Sequence, residues 1–289
     1  MTARAATLIG LTAILMWSLL SVMTVATGLI PPFQLMAMSF AIGAVASLAV
    51  RPRAWRAWKQ RWPAALVGIG GLFGYHALYF VALRLAPPAE AGLLNYLWPL
   101  LIVLFSALLP GERLRPHHVV GALLGLAGTI LLLAGQIELT MSSAAFAGYL
   151  AALAAAFVWA GYSVLSRRFK DVPTDAVAFY CAVTAVLAFL VHRACELPVW
   201  PAGPLAWVAI AALGLGPVGA AFFAWDVGMK RGDIRVLGAA SYATPLLSTG
   251  FLILAGYTQP SAHIALAAAL IAGGGLIAAK DMVSGRGSG

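Results

Sequence analysis

The stretch Leu94-Asn95-Tyr96-Leu97-Trp98-Pro99-Leu100 places a proline in the middle of a segment that is apolar from about residue 88 to residue 109. A proline at that position removes one helical hydrogen bond and bends the helix axis. The same device recurs at Ser241-Tyr242-Ala243-Thr244-Pro245-Leu246, with the spacing Tyr-x-x-Pro-Leu intact and a displacement of 146 residues (245 − 99). Pro99 and Pro245 therefore predict matching helix kinks in two copies of one unit.

The composition is that of a protein embedded in a lipid bilayer. Of the 289 residues, 62% are hydrophobic and only 9% are charged, whereas soluble domains carry about 25% charged residues. The net charge of +9 could indicate a nucleic-acid partner. The basic residues, however, lie in short connections between apolar stretches, where they usually report membrane orientation. We expect no nucleic-acid binding.

Ten apolar stretches are each long enough to cross about 30 Å of hydrocarbon. They cover residues 5–27, 31–50, 63–85, 88–109, 117–135, 144–166, 174–193, 203–228, 234–256 and 261–280. Of the 18 Lys and Arg residues, all but Arg84 and Arg193 fall on one side of the membrane when the connections are assigned alternately. The charge bias predicts that this side, with both termini, is cytoplasmic in an inner (plasma) membrane.

Two units of five spans must enter the membrane with opposite orientations, because five is an odd number. We therefore predict an all-α, 5+5 inverted repeat with halves at residues 1–137 and 138–283, followed by a disordered tail at 284–289. Arg84 and Lys230 are equivalent in this alignment, at opposite membrane faces, as an inverted repeat requires. Trp17 and Trp159 match near the front of each unit, at a slightly shorter displacement. Gly74 and Gly219 are predicted to act with the two prolines as hinges for gating.

The run Tyr96-x-x-Pro99 followed by Gly111-Glu112-Arg113-Leu114, together with the ten spans and the repeat, resembles the drug/metabolite transporter superfamily, specifically its EamA-type exporters. The equivalent of the Gly-Glu-Arg run in the second half reads Tyr257-Thr258-Gln259, so no symmetric role is expected for Glu112. An aromatic-rich first half resembles the YddG-type exporters of aromatic amino acids. This resemblance implies export of aromatic and other hydrophobic or neutral amino acids by alternating access, driven by a gradient.

His76 lies almost at the centre of the third span, where any polar group must find hydrogen bonds. It is a candidate substrate contact or, alternatively, a neutral imidazole that bonds a neighbouring carbonyl for structural reasons, such as one freed by Pro99. Tyr75 and Tyr79 are four residues apart and share one helix face. We expect His76 to contact substrate rather than carry protons, because no carboxylate is predicted close enough to stabilise its charge.

Three tryptophans are predicted near mid-depth, away from the interfaces where membrane tryptophans usually gather. Each could be core packing, but together with the nearby tyrosines they favour an aromatic-lined cavity suited to stacking and cation–π contacts. Asn95 and Ser21 could supply polar contacts that fix orientation. The predicted substrate-binding residues are Trp17, Ser21, Tyr75, His76, Tyr79, Asn95, Tyr96, Trp98, Trp159, Tyr162 and Tyr242.

The acidic residues and the known motifs limit the remaining possibilities. Asp226 lies one helical turn before Lys230, which predicts a local ion pair near the cytoplasmic end. The spans contain no His-Glu-x-x-His pair, no Gly-x-Gly-Asp and no Walker lysine, so no enzymatic activity, cofactor or metal is expected. Export of another small metabolite or drug, or a non-transporting membrane enzyme or scaffold, are the alternatives. The oligomeric state stays open, and a monomer is compatible with the sequence.

Overall fold

The computed structural model describes residues 1–111, 113–134, 142–254, 256 and 259–283, without the side chains of Ser21, Met282 and Val283. Within these residues all regular structure is helical, which confirms the all-α prediction. Glu112, Tyr257 and Thr258 of the motif comparison lie outside the described residues, as do the predicted domain boundary at residue 137 and the tail at 284–289.

Nine helical segments in the described part of the chain are long and apolar enough to cross a membrane. The tenth, Ala262–Ala278, is apolar but has only 17 residues. Each segment coincides with one predicted span, and we number them spans 1 to 10. Spans 1 to 9 are Ala3–Ala26, Pro32–Val50, Trp62–Leu85, Pro88–Ser106, Pro116–Leu133, Ser143–Phe169, Ala176–Cys195, Pro204–Arg231 and Ile234–Leu254.

The spans begin at strong local start signals. Pro32, Pro88, Pro116 and Pro204 each occupy the first position of a helix, where the missing amide hydrogen costs nothing and the fixed φ suits a helix. Elsewhere side chains cap the first free amides: the caps are Thr2, Ser142, Asp233 and Ser261.

Spans 3 and 8 carry the same backbone irregularity at the same place. Span 3 consists of helix Trp62–Ile69, a π-helical turn Gly70–Gly74 and helix Tyr75–Leu85. Span 8 consists of helix Pro204–Leu215, a π-helical turn Gly216–Ala220 and helix Ala221–Arg231. Gly70 and Gly216, which begin the two π turns, are separated by the same displacement as Pro99 and Pro245. Turns of this kind mark functional sites more often than ordinary helix does.

Spans 4 and 9 are both interrupted just before their prolines. Span 4 is divided into Pro88–Asn95 and Trp98–Ser106, and span 9 into Ile234–Ala240 and Ala243–Leu254. The breaks agree with the kinks predicted at Pro99 and Pro245. Span 1 is also divided, into Ala3–Ser18 and Leu20–Ala26, whereas helix Ser143–Ser166 of span 6 is continuous. The two halves therefore differ at their first span.

The packing of the spans follows one scheme in both halves. Span 1 packs on span 8 as span 6 packs on span 3, while span 2 pairs with span 7 and span 5 pairs with span 10. The last pair crosses at two glycines: a Cβ atom on Gly121 would lie 2.5 Å from the carbonyl oxygen of Gly274. Small residues permit such close backbone contact between membrane helices.

The two predicted hinge glycines stand in very different surroundings, and we expect different responses to alanine. A Cβ atom on Gly219 would lie 2.5 Å from the carbonyl oxygen of Gly214, whereas on Gly74 its nearest neighbour would be Val158 Cγ1 at 3.7 Å. Gly219→Ala should destabilise the protein by about 1–3 kcal/mol through overpacking, and Gly74→Ala should be close to neutral. Melting temperatures of the two purified variants in one detergent check this, and equal losses would contradict it.

Candidate functional site

A central cavity of about 240 Å³ lies where the interrupted spans meet. This volume is somewhat below the range of about 300–1,000 Å³ usual for drug-sized ligands and suits a single small molecule. Spans 1, 3, 4, 6, 8 and 9 all contribute to it. Its lining residues are Trp17, Leu20, Tyr75, His76, Tyr79, Asn95, Tyr96, Trp98, Trp159, Pro217, Val218, Phe222, Thr244 and Ser248.

The floor of the cavity is a cluster of packed aromatic rings. Trp159 contacts Trp17 edge to face, with ring centroids 5.5 Å apart, and Trp17 lies 5.1 Å from Trp225. The indole of Trp17 donates to the carbonyl of Pro217 at 3.0 Å, and that of Trp225 donates to Ser163 Oγ at 3.0 Å. Because both indole donors are bonded, these rings are held in fixed orientations.

Tyrosines and His76 form one wall. Tyr75 and Tyr79 stack with centroids 6.1 Å apart and planes 15° apart, and Tyr75 also contacts Trp159 at 5.1 Å. His76 Nδ1 lies 2.6 Å from the carbonyl oxygen of Leu72, inside the π turn of span 3. His76 thus lines the cavity and also bonds a neighbouring carbonyl, although not one freed by Pro99; its contact with substrate stays a prediction.

The polar groups of the cavity are neutral. Asn95 Nδ2 donates to Tyr75 Oη at 3.1 Å, while Asn95 Oδ1 is buried without a hydrogen-bond partner. Thr244 Oγ1 is likewise unbonded, and Ser248 Oγ donates to the carbonyl of Ser18 at 2.7 Å. Among the described residues that line the cavity, none is Lys, Arg, Asp or Glu. The cavity therefore favours stacking and hydrogen bonding over ion pairing.

One end of the bundle is tied together by basic residues, and we call it the basic end. Arg51 bonds Asp175 at 2.6 Å, which joins the connection after span 2 to that after span 6. Arg167, in the last turn of span 6, donates to the carbonyl of Gly232 at 2.7 Å and so joins span 6 to the connection after span 8. Arg235, in the first turn of span 9, donates to the carbonyl of Arg113 at 2.8 Å and so joins span 9 to the connection after span 4.

A buried ion pair lies between the aromatic floor and the basic end. Lys230 Nζ is 2.9 Å from Asp226 Oδ1, and the two side chains are only 5% and 1% exposed. Lys230 also donates to the carbonyl of Val172 at 2.9 Å, and Thr174 Oγ1 donates to Asp226 Oδ2 at 2.7 Å. The pair predicted from the sequence thus exists, and it fastens span 8 to the connection between spans 6 and 7.

Asp233 adds a second fastening at the basic end. It caps helix Ile234–Ala240 through the amides of Arg235 and Val236, at 3.0 and 3.3 Å. Its own amide donates to Thr7 Oγ1 at 2.8 Å. Burial alone raises the pKa of Asp233, but the hydrogen bonds and charge of Arg235 outweigh it and hold the pKa below its usual value. Span 9 is thereby fixed to span 1.

The opposite end is tied by the Glu196 carboxylate, which follows span 7. Its oxygens accept from the amides of Phe33 and Gln34, at 3.2 and 3.1 Å, where the positive end of the span 2 helix dipole lies. His192 Nδ1 is 3.0 Å from Glu196 Oε2, and Arg84 Nη2 is 3.6 Å from Oε1. The cavity residues Leu20 and Ser248 lie on the side of the cavity toward this end, beyond the break in span 1 and beyond Pro245.

The structure brings together eight of the eleven predicted substrate-binding residues. Tyr162 and Tyr242 are buried outside the cavity, where they fill the spaces over Gly71 and Gly125. The side chain of Ser21 lies outside the described residues. Seven further residues were not predicted from the sequence: Leu20, Pro217, Val218, Phe222, Thr244 and Ser248 line the cavity, and Trp225 lies beneath them. Phe222 and Trp225 occupy the positions of the second half that correspond to His76 and Tyr79, so the repeat itself contained the signal for them.

One group of potential metal ligands lies apart from the cavity, near the basic end. Ligand atoms of His117, His118 and Asp281 fall within 4.8 Å of one another. The guanidinium of Arg115 lies 2.7 Å from Asp281 Oδ2, the same oxygen that faces His117 Nε2 at 3.1 Å. The carboxylate is therefore already paired with a cation.

Comparison with known proteins agrees with this architecture. The chain is 55% identical to the aromatic amino acid exporter YddG of Ancylobacter novellus over 282 residues, 96% of this chain and 98% of the relative. It is 29% identical to the aromatic amino acid exporter YddG of Salmonella typhimurium, covering 88% and 89% of the two chains. A crystal structure at 54% identity superposes with a TM-score of 0.92 over 99% of this chain and 100% of the other.

The sequence profile of a transporter family, described as EamA-like, matches twice, at residues 4–134 and 146–284. The first match lies within residues 1–137, and the second begins after residue 138 and ends at residue 284. They confirm the predicted resemblance, a multi-pass inner-membrane location and a transporter rather than an enzyme. The chain belongs to the EamA-like transporter family.

Proposed function

We propose that this protein exports amino acids, aromatic and other hydrophobic or neutral ones, by alternating access down a substrate gradient. The observation that carries the proposal is the uncharged cavity of about 240 Å³ walled by indole, phenol and imidazole rings. Such walls bind flat apolar side chains through stacking. The two relatives named aromatic amino acid exporters, of which the first is 55% identical to this chain, support the same substrate class.

Alternating access requires one closed and one accessible side, and the contacts around the cavity support that division. At the basic end, the aromatic floor, the Asp226–Lys230 pair and the Asp233 cap lie between the cavity and the aqueous phase. On the side toward the opposite end the cavity is lined by Leu20 and Ser248. The breaks in spans 4 and 9 and the π turns in spans 3 and 8 are the hinges in this proposal.

We further propose that the two halves are an inverted 5+5 repeat with both termini in the cytoplasm. The reciprocal pairing of spans 1 and 8 with spans 6 and 3 supports the repeat. The π turns that begin at Gly70 and Gly216 support it too, because they occupy equivalent positions in the two halves. The arginines that tie the basic end support its cytoplasmic location.

The orientation predicts the outcome of a reporter experiment. Reporters fused after Lys59, Arg168 and Arg231 should all give cytoplasmic signals, while reporters fused after Glu138 and Pro260 should give external ones. An alkaline phosphatase and fluorescent protein pair, active on opposite sides of the membrane, measures this directly. A reversed signal at any one fusion would exclude the ten-span orientation.

Liposomes that contain the purified protein test the substrate class. Trp98→Ala and Tyr79→Ala should each lower uptake of tryptophan and phenylalanine about fivefold more than uptake of threonine, because stacking worth about 1 kcal/mol is lost only for aromatic substrates. Trp207, which is 48% exposed on the outside of span 8, supplies the control Trp207→Ala, for which no change is expected.

Three outcomes would count against parts of this proposal. An equal loss of uptake of all three amino acids in Trp98→Ala and Tyr79→Ala would point to packing damage rather than to lost stacking. Uptake of none of them would favour export of another small metabolite or drug. Uptake that changes when a pH gradient is imposed would count against the proposed driving force, because a carrier driven by substrate alone should show unchanged uptake.

A further inference from the structure

Two side chains that line the cavity, Asn95 and His76, have hydrogen-bond acceptors that a ligand could use. Asn95 is only 4% exposed, and its amide Nδ2 donates one hydrogen bond to Tyr75 Oη at 3.1 Å. Asn95 lines the cavity, and its carbonyl oxygen, Oδ1, is buried without a hydrogen-bond partner. A buried amide oxygen without a hydrogen bond costs free energy that a donating ligand recovers. The first group offered to a ligand is thus an acceptor.

His76 offers a second acceptor, the ring atom Nε2, because Nδ1 is bonded to a backbone carbonyl. The carbonyl of Leu72, 2.6 Å from Nδ1, can only accept, so Nδ1 carries the hydrogen. In the neutral ring Nε2 then has a lone pair and no hydrogen. The described lining supplies no carboxylate that would stabilise a charged ring in this apolar setting.

Two donors near the cavity are used within the protein. The Trp17 indole is committed to the Pro217 carbonyl at 3.0 Å, and the Ser248 hydroxyl to the Ser18 carbonyl at 2.7 Å. The donors that remain are neutral: they include hydroxyl groups such as that of Thr244 and the indole N–H groups of Trp98 and Trp159, and no lysine or arginine is found among the described lining residues. A carboxylate placed here would lose its hydration without meeting a positive charge.

We infer that the cavity recognises the ammonium group of its substrate and not the carboxylate, so that aromatic amines and amino-acid amides are ligands of the same site. The ammonium group donates to Asn95 Oδ1 and His76 Nε2 and faces the surrounding indole and phenol rings, which attract cations. The carboxylate, when present, points to the open end and keeps its water. This inference rests on the proposed function, because it assumes that the cavity is the amino-acid site.

Competition for uptake of labelled phenylalanine into liposomes tests this at neutral pH with three analogues. Phenethylamine lacks the carboxylate, phenylalaninamide replaces it by a neutral amide, and 3-phenylpropionate lacks the ammonium group. We expect the amine and the amide to compete within about threefold of unlabelled phenylalanine, and 3-phenylpropionate to compete at least about tenfold more weakly. Competition by 3-phenylpropionate equal to that of phenylalanine, with none by phenethylamine, would overturn the inference and leave the proposed function intact.

Direct binding to the purified protein, measured by calorimetry, separates the two hypotheses further. It avoids passage of the neutral amine through the bilayer, and it remains informative if phenylalanine is not transported. Binding of phenethylamine but not of 3-phenylpropionate would then support ammonium recognition even though export of amino acids had failed. Binding of 3-phenylpropionate alone would reject it.

Asn95 provides the matched variants. Asn95→Leu should weaken the binding of phenethylamine and phenylalanine about tenfold, because only the acceptor for the ammonium group is lost. The binding of 3-phenylpropionate should be unchanged. Asn95→Asp should strengthen the binding of phenethylamine relative to the binding of 3-phenylpropionate. Equal weakening of all three ligands by Asn95→Leu, at an unchanged melting temperature, would contradict a role specific to the ammonium group.

Discussion

Lys230→Met is expected to lower the free energy of unfolding by about 3–5 kcal/mol, because it leaves the buried carboxylate of Asp226 without its cation. The Asp226 side chain is 1% exposed, and the hydrogen bond from Thr174 at 2.7 Å cannot replace a charge. The lost bond from Lys230 to the Val172 carbonyl adds to the effect, since it joins span 8 to the connection after span 6. Denaturation of the detergent-purified variant, followed by tryptophan fluorescence, measures the loss.

A double variant distinguishes the uncompensated charge from lost packing. Asp226→Leu combined with Lys230→Met removes both charges and should recover most of the stability, as replacement of buried ion pairs by apolar residues often does. Arg231→Met, at the exposed neighbouring position, is the control and should cost less than about 0.5 kcal/mol. A double variant no more stable than Lys230→Met would show that the ion pair is not the cause.

The same double variant bears on transport. In the proposed mechanism the pair helps to keep the basic end closed, so its removal should shift the conformational equilibrium toward opening at that end. We expect a changed uptake rate in a protein of nearly normal stability. Unchanged uptake would mean that the aromatic floor and Asp233 are sufficient to hold the end closed.

The breaks in spans 4 and 9 could be predicted because proline acts locally. Pro99 and Pro245 cannot donate a backbone hydrogen bond wherever the helix lies, and both interruptions occur within four residues before them. The π turns Gly70–Gly74 and Gly216–Ala220 are different. A run of glycines indicates flexibility or close packing, but whether a turn widens depends on the neighbouring spans, which periodicity does not reveal.

The cavity residues were predicted from depth in the membrane, and the limits of the prediction follow from that. Depth placed Trp17, Trp98 and Trp159 near one another, as they are in the structure, because equivalent spans bring equivalent depths together. Depth does not say which way a side chain points around its helix. Tyr162, only three residues after Trp159, contacts the Trp159 ring at 5.3 Å yet faces Gly71 instead of the cavity.

Trp159→Ala is expected to have the largest effect of any substitution in the cavity. The Trp159 ring is 3% exposed and contacts both the floor and the tyrosine wall: its ring neighbours are Trp17, Tyr75, Trp98, Tyr162, Phe222 and Trp225. Truncation of a buried tryptophan costs about 3–5 kcal/mol, so the variant should unfold at lower denaturant concentration and lose uptake of every amino acid, threonine included.

Trp159→Phe separates the structural role of this ring from its role in binding. A phenyl ring keeps most of the contacts to Trp17 and Tyr75, so stability should fall by less than about 2 kcal/mol and threonine uptake should persist. Tryptophan uptake should still decrease, because the smaller ring offers less surface for stacking. If Trp159→Phe retained tryptophan uptake in full while Trp159→Ala abolished all transport, Trp159 would serve to hold the floor together, and substrate stacking would have to be assigned to Trp98 and Tyr79.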